Sequence, residues 1–242
     1  MKKVLLAVLA IAMSLGAVAQ VKARWGSIDV RYSLDCSDVV SDCAVNNAVA
    51  WRGERVNLQL VVENGAKESR VEYRFSDLKC GRSVIPAENV VGGFVQPVLT
   101  DKFTGCGRHE VDAHGEVPVA DRITATSPTL LDAGARRGLW LTIQVPQDAK
   151  PGLYKGYVEL VSERKKQKFQ YTVKVLDRTL PAPKDWKFHL DLWQNPYAVA
   201  RVHNVELWSE EHFNALACSF AFYNARKVVI GQRKNILLVR LL

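Results

Sequence analysis

The sequence contains no Gly-x-Ser-x-Gly elbow and no glycine-rich phosphate loop, which sets aside a serine-type hydrolase and the common nucleotide-binding folds. It has no internal repeat and no low-complexity stretch, so a solenoid or a disordered scaffold is also set aside. Acid is missing from one region altogether. Residues 213–242 hold Arg226, Lys227, Arg233, Lys234 and Arg240 but no Asp or Glu. These five, with Lys2 and Lys3, account for most of the net charge of +8 and leave +1 for the body of the chain. A basic stripe interleaved with aromatics is absent, and nucleic acid is excluded as a partner. Cysteine is sparse, and the spacings Cys-x6-Cys and Cys-x25-Cys are not those of zinc sites.

The first residues, MKKVLLAVLAIAMSLGAVAQ, combine two lysines, an apolar run from Val4 to Leu15 and the small-x-small triplet Ala17-Val18-Ala19. This is the pattern of a secretory signal peptide over 1–19, with a run too short to span a bilayer. The mature chain is expected to be exported, periplasmic or extracellular, with no membrane span. An oxidising compartment favours disulfides, which makes thiol catalysis unattractive. The pairing adopted joins Cys36 with Cys43 and Cys80 with Cys106, leaving Cys218 odd; other connectivities stay open.

Roughly 220 residues then remain, enough for one sandwich or two ordinary domains. Apolar residues alternate with polar ones in RVNLQLVVE (55–63), which puts Val56, Leu58, Leu60 and Val62 on one face. The same period recurs in 69–77, 139–145, 153–161 and 168–176, with Val71, Tyr73 and Phe75 sharing a face in the first of these. Pro151-Gly152 suits a type II turn, and SERKKQ a polar hairpin tip. The fold class expected is mainly β: an antiparallel two-sheet β-sandwich over 24–178, followed by a single truncated βα unit of a (β/α)8 barrel. A proline-containing linker, 179–185, precedes that unit, which occupies 186–215. In it FHLDLW reads as a buried strand and LWSEEHF as a helix start, with Ser209 as N-cap and Glu210 and Glu211 in the first turn.

The segments WRGERVNLQLVV (51–62), TGCGRHEVDAHGEVPVADRI (104–123), LWLTIQVPQDAKPGLYKGYVEL (139–160) and LPAPKDWKFHLDLWQNPYAVARVHNVELWSEEHF (180–213) resemble, in this order and spacing, the exported bacterial proteins of glycoside hydrolase family 123. The resemblance implies an N-terminal β-sandwich supporting a catalytic (β/α)8 barrel that cleaves β-linked N-acetylgalactosamine or a related N-acetylhexosamine. It further implies catalysis by the substrate's own 2-acetamido group, oriented by the first acid of an adjacent Asp-Glu pair while the second protonates the leaving oxygen. No Asp-Glu pair occurs in this chain. From about Leu216 the sequence ceases to resemble the family's helix, and 216–242 reads as a divergent, frameshifted tail whose apolar runs have no partner strands.

The candidate site residues follow from this. Trp193, Gln194, Asn195, Tyr197 and His203 lie after the first barrel strand, where barrel enzymes place substrate, and form the candidate substrate-side loop of the intact homologue. Trp186, Trp193 and Trp208 are also read as filling space between sandwich and barrel. Glu210 and Glu211 are the only adjacent acids and are assigned to helix capping, so no catalytic residue is assigned. Glu110, Asp112, His114 and Glu116 would share a face if extended, as metal ligands do, but Gly115 and Pro118 favour an exposed loop, and no metal or cofactor is expected. The functional expectation is the accessory sandwich of a family-123-like glycosidase, with glycan as the partner of the intact homologue and no hydrolysis by this chain. The alternative is a stand-alone exported β-sandwich that binds glycan or protein.

Overall fold

The structure, a computed structural model, describes residues 21–36, 45–101, 116–163, 165–181, 185, 187, 191–224, 228–233 and 236–241. Residues 1–20, Cys43, Cys106, Glu110, Asp112, His114 and Trp186 lie outside them. The chain divides into two compact units, 1–180 and 181–242.

Twelve strands among the described residues build the first unit. They are β1 (Lys22–Gly26), β2 (Asn47–Arg52), β3 (Arg55–Glu63), β4 (Ser69–Phe75), β5 (Leu78–Cys80) and β6 (Ser83–Ile85). After a 3-10 turn come β7 (Val90–Asp101), β8 (Glu116–Thr124), β9 (Thr129–Leu131), β10 (Arg136–Gln144), β11 (Gly152–Ser162) and β12 (Lys165–Thr179). One sheet runs β1-β3-β10-β7-β8 and is antiparallel throughout. The other runs β2-β12-β11-β4-β9, with the β5–β6 hairpin attached to β11. The expected two-sheet sandwich is therefore present. One pairing departs from the antiparallel rule: β2 lies parallel to β12, with Ala48 beside Val173.

Period two does the sorting. Leu58, Leu60 and Val62 of β3 and Leu139, Leu141 and Ile143 of β10 turn inward and are buried, as the alternation requires. They meet Tyr154, Val158 and Leu160 of β11 and Tyr171, Val173 and Val175 of β12 in one core. Each such side chain stabilises the fold by about 1.5–3 kcal/mol. Two aromatic contacts bridge the sheets: Trp25 meets Tyr171 edge-on at 5.8 Å, and Tyr73 meets Phe94 at 5.8 Å.

The connectors differ from expectation in one place. The turn after β10 closes at Pro146, whose carbonyl accepts the Ala149 N–H at 3.2 Å, while Pro151-Gly152 leads directly into β11. Gly152 is required there for space, because a Cβ would stand 2.6 Å from the Cys80 sulfur. The 162–165 hairpin is tight: Ser162 pairs with Lys165, and Glu163 takes φ 53 at the tip. Among the described residues Cys36 and Cys80 form no disulfide, and Cys43 and Cys106, their expected partners, lie outside those residues.

The second unit holds β13 (Asp191–Gln194), α1 (Pro196–His203), α2 (Glu210–Asn224), β14 (Val228–Arg233) and β15 (Ile236–Leu241). Its sheet runs β13-β15-β14, with both pairings antiparallel. This corrects the expectation that the tail runs lack partners, since Val239 pairs with Leu192 on one side and with Ile230 on the other. α2 likewise continues past Leu216 to Asn224. No helix among the described residues is long and apolar enough to cross a membrane.

Candidate functional site

The residues singled out after the first strand of the second unit do not form a plain loop. Trp193 and Gln194 close β13, where their backbones pair with Leu238 and Leu237. Asn195 then caps α1, its Oδ1 accepting the N–H groups of Tyr197 at 3.0 Å and Ala198 at 3.3 Å. Pro196 follows at the first helical position. Asn-Pro before an apolar-periodic run is a helix-start signal, and it marks α1 in the sequence. Tyr197 and His203 thus stand on a helix, at opposite ends, both exposed.

Asn204 ends α1 in the left-handed conformation at φ 52, a common role for asparagine. The chain then reaches Trp208, which takes φ 67, a backbone region that a bulky side chain occupies at a cost of about 1–3 kcal/mol. Ser209 accepts the His212 N–H at 3.1 Å through its hydroxyl, and Glu210 and Glu211 follow in the first turn of α2, where the helix dipole favours acids.

His212, which sequence reasoning passed over, holds this strained turn. It is completely buried. Its Nδ1 accepts the Trp208 N–H at 2.9 Å, so the proton sits on Nε2, which donates to the Pro196 carbonyl at 2.9 Å. One ring therefore ties the start of α1 to the turn before α2, with both nitrogens occupied, and it serves as a brace with no nitrogen left for acid-base chemistry. The signal was available: a His three residues after a capping Ser on an apolar helix face. Around it Trp208 meets Tyr197 at 6.1 Å and Phe213 at 6.2 Å, a partly exposed aromatic cluster.

Among the described residues no group of three His, Cys, Asp or Glu side chains is placed to hold a metal ion. The groups with displaced proton affinity belong to the sandwich. Burial pushes the Tyr171 hydroxyl well up, and burial, then the Glu63 carboxylate, raises the Cys36 thiol. The second unit thus offers an aromatic surface and a strand-helix-helix start, with no acid-base pair among the described residues.

Residues 25–162, more than half of the chain, match the profile of the glycoside hydrolase 123 N-terminal domain. The chain belongs to glycoside hydrolase family 123. A second profile, that of the glycoside hydrolase 123 catalytic domain, matches residues 193–230 and so runs past Leu216 through α2 into β14. Among solved structures, a family 123 glycoside hydrolase from Clostridium perfringens, studied for glycolipid glycan hydrolysis, aligns at 24% identity with a TM-score of 0.72. That alignment covers 85% of this family-123 chain and 36% of the relative, so the chain spans about a third of the relative's length. AvmM, which catalyzes macrocyclization in alchivemycin A biosynthesis, aligns at 9% identity over 69% of this chain and all of its own, with a TM-score of 0.35. Spo0M, a sporulation control protein from Bacillus subtilis, aligns at 10% identity over 93% of this chain and 90% of its own, with a TM-score of 0.32. Neither of these two is close enough to bear on function. No curated protein matches the sequence.

Proposed function

We propose that this chain carries the accessory β-sandwich of a family-123 glycosidase of the β-N-acetylhexosaminidase type, together with the opening segment of its catalytic domain, and does not itself hydrolyse glycosides. The observation that carries the reading is the order of the two profile matches, the N-terminal domain over 25–162 and the catalytic domain from 193 onward. The sandwich then serves as the rigid base from which the catalytic domain is built. The resemblance-implied chemistry needs an adjacent Asp-Glu pair, and the chain has none. Its one adjacent acid pair, Glu210-Glu211, sits at the start of α2, beside a histidine whose nitrogens are both in use. Export through the N-terminal segment and the pairings Cys36–Cys43 and Cys80–Cys106 complete the proposal.

The test is the purified chain with aryl N-acetyl-β-galactosaminide and N-acetyl-β-glucosaminide. No release above a buffer blank is expected. Turnover that disappears when a residue of this chain is substituted would overturn the non-hydrolytic reading.

A further inference from the structure

The outer face of the five-stranded sheet is covered at one end by the segment after β1, and the cover is pinned from below. Gln59 of β3, only 4% exposed, donates from Nε2 to the carbonyls of Ser27 at 2.8 Å and Val30 at 3.2 Å. Tyr32 turns back under the same segment and accepts the Ser27 N–H at 2.8 Å. Gly138 of β10 leaves room for this arrangement, since a Cβ there would stand 2.4 Å from the Gln59 Oε1. Beside the pinned segment lies a cavity of about 310 Å³, at the small end of the roughly 300–1,000 Å³ usual for ligand pockets.

Its lining has two chemistries. Trp140 of β10 contributes to the floor, and its indole N–H is turned away to Asn57 at 3.3 Å, so the ring is fixed and carbon is what it offers to the cavity. Val95, Ile123, Ile28 and Val30 extend that apolar surface. Among them stand Asp29, Arg31 and Asp121. The side chains of Arg31 and Asp121 make no hydrogen bond or ion pair with the described residues, nor does the Gln59 Oε1 accept one, although Gln59 is almost wholly buried. Unused acceptors and a guanidinium thus surround a fixed aromatic surface. A second cavity, of about 470 Å³, shares Arg31, Tyr32 and Ala120 with the first and continues the trough along β8.

We infer that this trough is a carbohydrate-binding site, taking neutral pyranose units of a glycan chain. A pyranose presents an apolar face of C–H groups, which suits an indole, and a rim of hydroxyls that both donate and accept. Carboxylates and a guanidinium satisfy such hydroxyls, whereas two acids among the three charges repel a phosphate or another anion. A lipid tail would leave the Gln59 oxygen and the three charged groups without partners. The continuation into the second cavity gives room for more than one sugar unit. The site is complete within the sandwich and needs no catalytic domain.

The test uses the full chain with the methyl β-glycosides of galactose, N-acetylgalactosamine and N-acetylglucosamine, and with chitotetraose, followed by saturation-transfer NMR and titration calorimetry. At least one should bind with a Kd of about 1 mM or tighter. The exposed double substitution Arg31→Ala, Asp121→Ala should weaken binding by about tenfold or more. Ala120→Trp, which fills the junction of the two cavities, should abolish it, with thermal unfolding of both variants unchanged. The inference is overturned if none of the probes binds at about 20 mM, or if binding survives both variants. Self-association lost in Ala120→Trp would also overturn it and give the face to a second copy of the chain. Aryl-glycoside turnover read in the same samples bears only on the non-hydrolytic reading, so the two failures are distinguishable.

Discussion

Arg136 of β10 and Glu63 of β3 form an ion pair at 2.9 Å on the outer face of the five-stranded sheet, with the arginine only 2% exposed. A second guanidinium nitrogen reaches the Ser33 hydroxyl at 2.8 Å, so the pair also anchors the segment that covers this face. Removing Glu63 takes the carboxylate from a buried guanidinium, while removing Arg136 leaves Glu63 with its more exposed partner Arg24 at 3.1 Å. Arg136→Ala is expected to destabilise the sandwich by about 3 kcal/mol, with Arg24 still beside Glu63, and Glu63→Gln by somewhat less, since the amide oxygen still accepts from the guanidinium. The double change Arg136→Met, Glu63→Leu should recover most of the loss, to within about 1–2 kcal/mol of the parent. Urea midpoints of the variants decide it. A double variant no more stable than Arg136→Ala would show that the arginine acts through packing.

Tyr171 gives a prediction with a pH limb. Its ring fills the core against Trp25, while its hydroxyl is buried with no hydrogen-bond partner among the described residues. Burial disfavours the phenolate, so the folded-state pKa lies above the ordinary value of about 10. A group whose pKa is raised on folding contributes stability that is fully present below the unfolded pKa and is lost as pH climbs toward the folded one. Stability should therefore hold up to about pH 10 and fall above it. Tyr171→Phe should gain about 1 kcal/mol at pH 7, by removing an unpartnered polar group, and should flatten the alkaline fall. Thermal melts across pH 7 to about 11 supply the measurement; a Phe variant less stable at neutral pH would mean that the hydroxyl has a partner.

The sandwich was legible because period two is local: Leu58, Leu60, Leu139 and Leu141 announce their face within a few residues. What alternation does not carry is a partner far along the chain. Val61 faces outward from β3 yet is wholly buried, because the segment bearing Tyr32 folds back over it. The parallel setting of β2 against β12 joins residues more than a hundred positions apart, and no short-range pattern encodes that. At the candidate site, Asn195-Pro196 and Ser209 were readable as caps, whereas the His212 brace depends on a carbonyl sixteen residues away. The trough beside Trp140 draws on β3, β7, β8, β10 and the segment after β1, so no single stretch of sequence shows it.

His212 should be sensitive to a change that keeps its size. In His212→Phe the Trp208 N–H and the Pro196 carbonyl both lose their partner, each loss being worth about 1–3 kcal/mol when buried. The strained backbone at Trp208 then has less to hold it. Hydrogen exchange at the Trp208 amide should accelerate by about tenfold or more, while the amides of β3 and β10 keep their protection. An unchanged Trp208 amide would show that the aromatic cluster, and not the histidine, fixes the turn.

The three-stranded sheet of the second unit provides a direct test of the tail. Read from sequence, 216–242 was expected to leave apolar runs without partners; in the structure β15 is the central strand, flanked by β13 and β14. The two descriptions predict opposite behaviour. If β15 is central, Val239→Pro removes a ladder donor and distorts a strand bonded on both sides, which central strands do not tolerate. Protection should then fall together at Asp191–Gln194, Val228–Arg233 and Ile236–Leu241, because among the described residues β13 and β14 are each hydrogen-bonded to β15 and not to one another. The sandwich strands, in a separate compact unit, should keep their exchange rates. Hydrogen exchange by mass spectrometry on the parent and the variant resolves all four segments. If β15 shows no protection in the parent, the tail has no partner strands and the expectation from sequence stands. If β13 stays protected in Val239→Pro, the pairing of Leu192 with Val239 is not what holds the first strand in place.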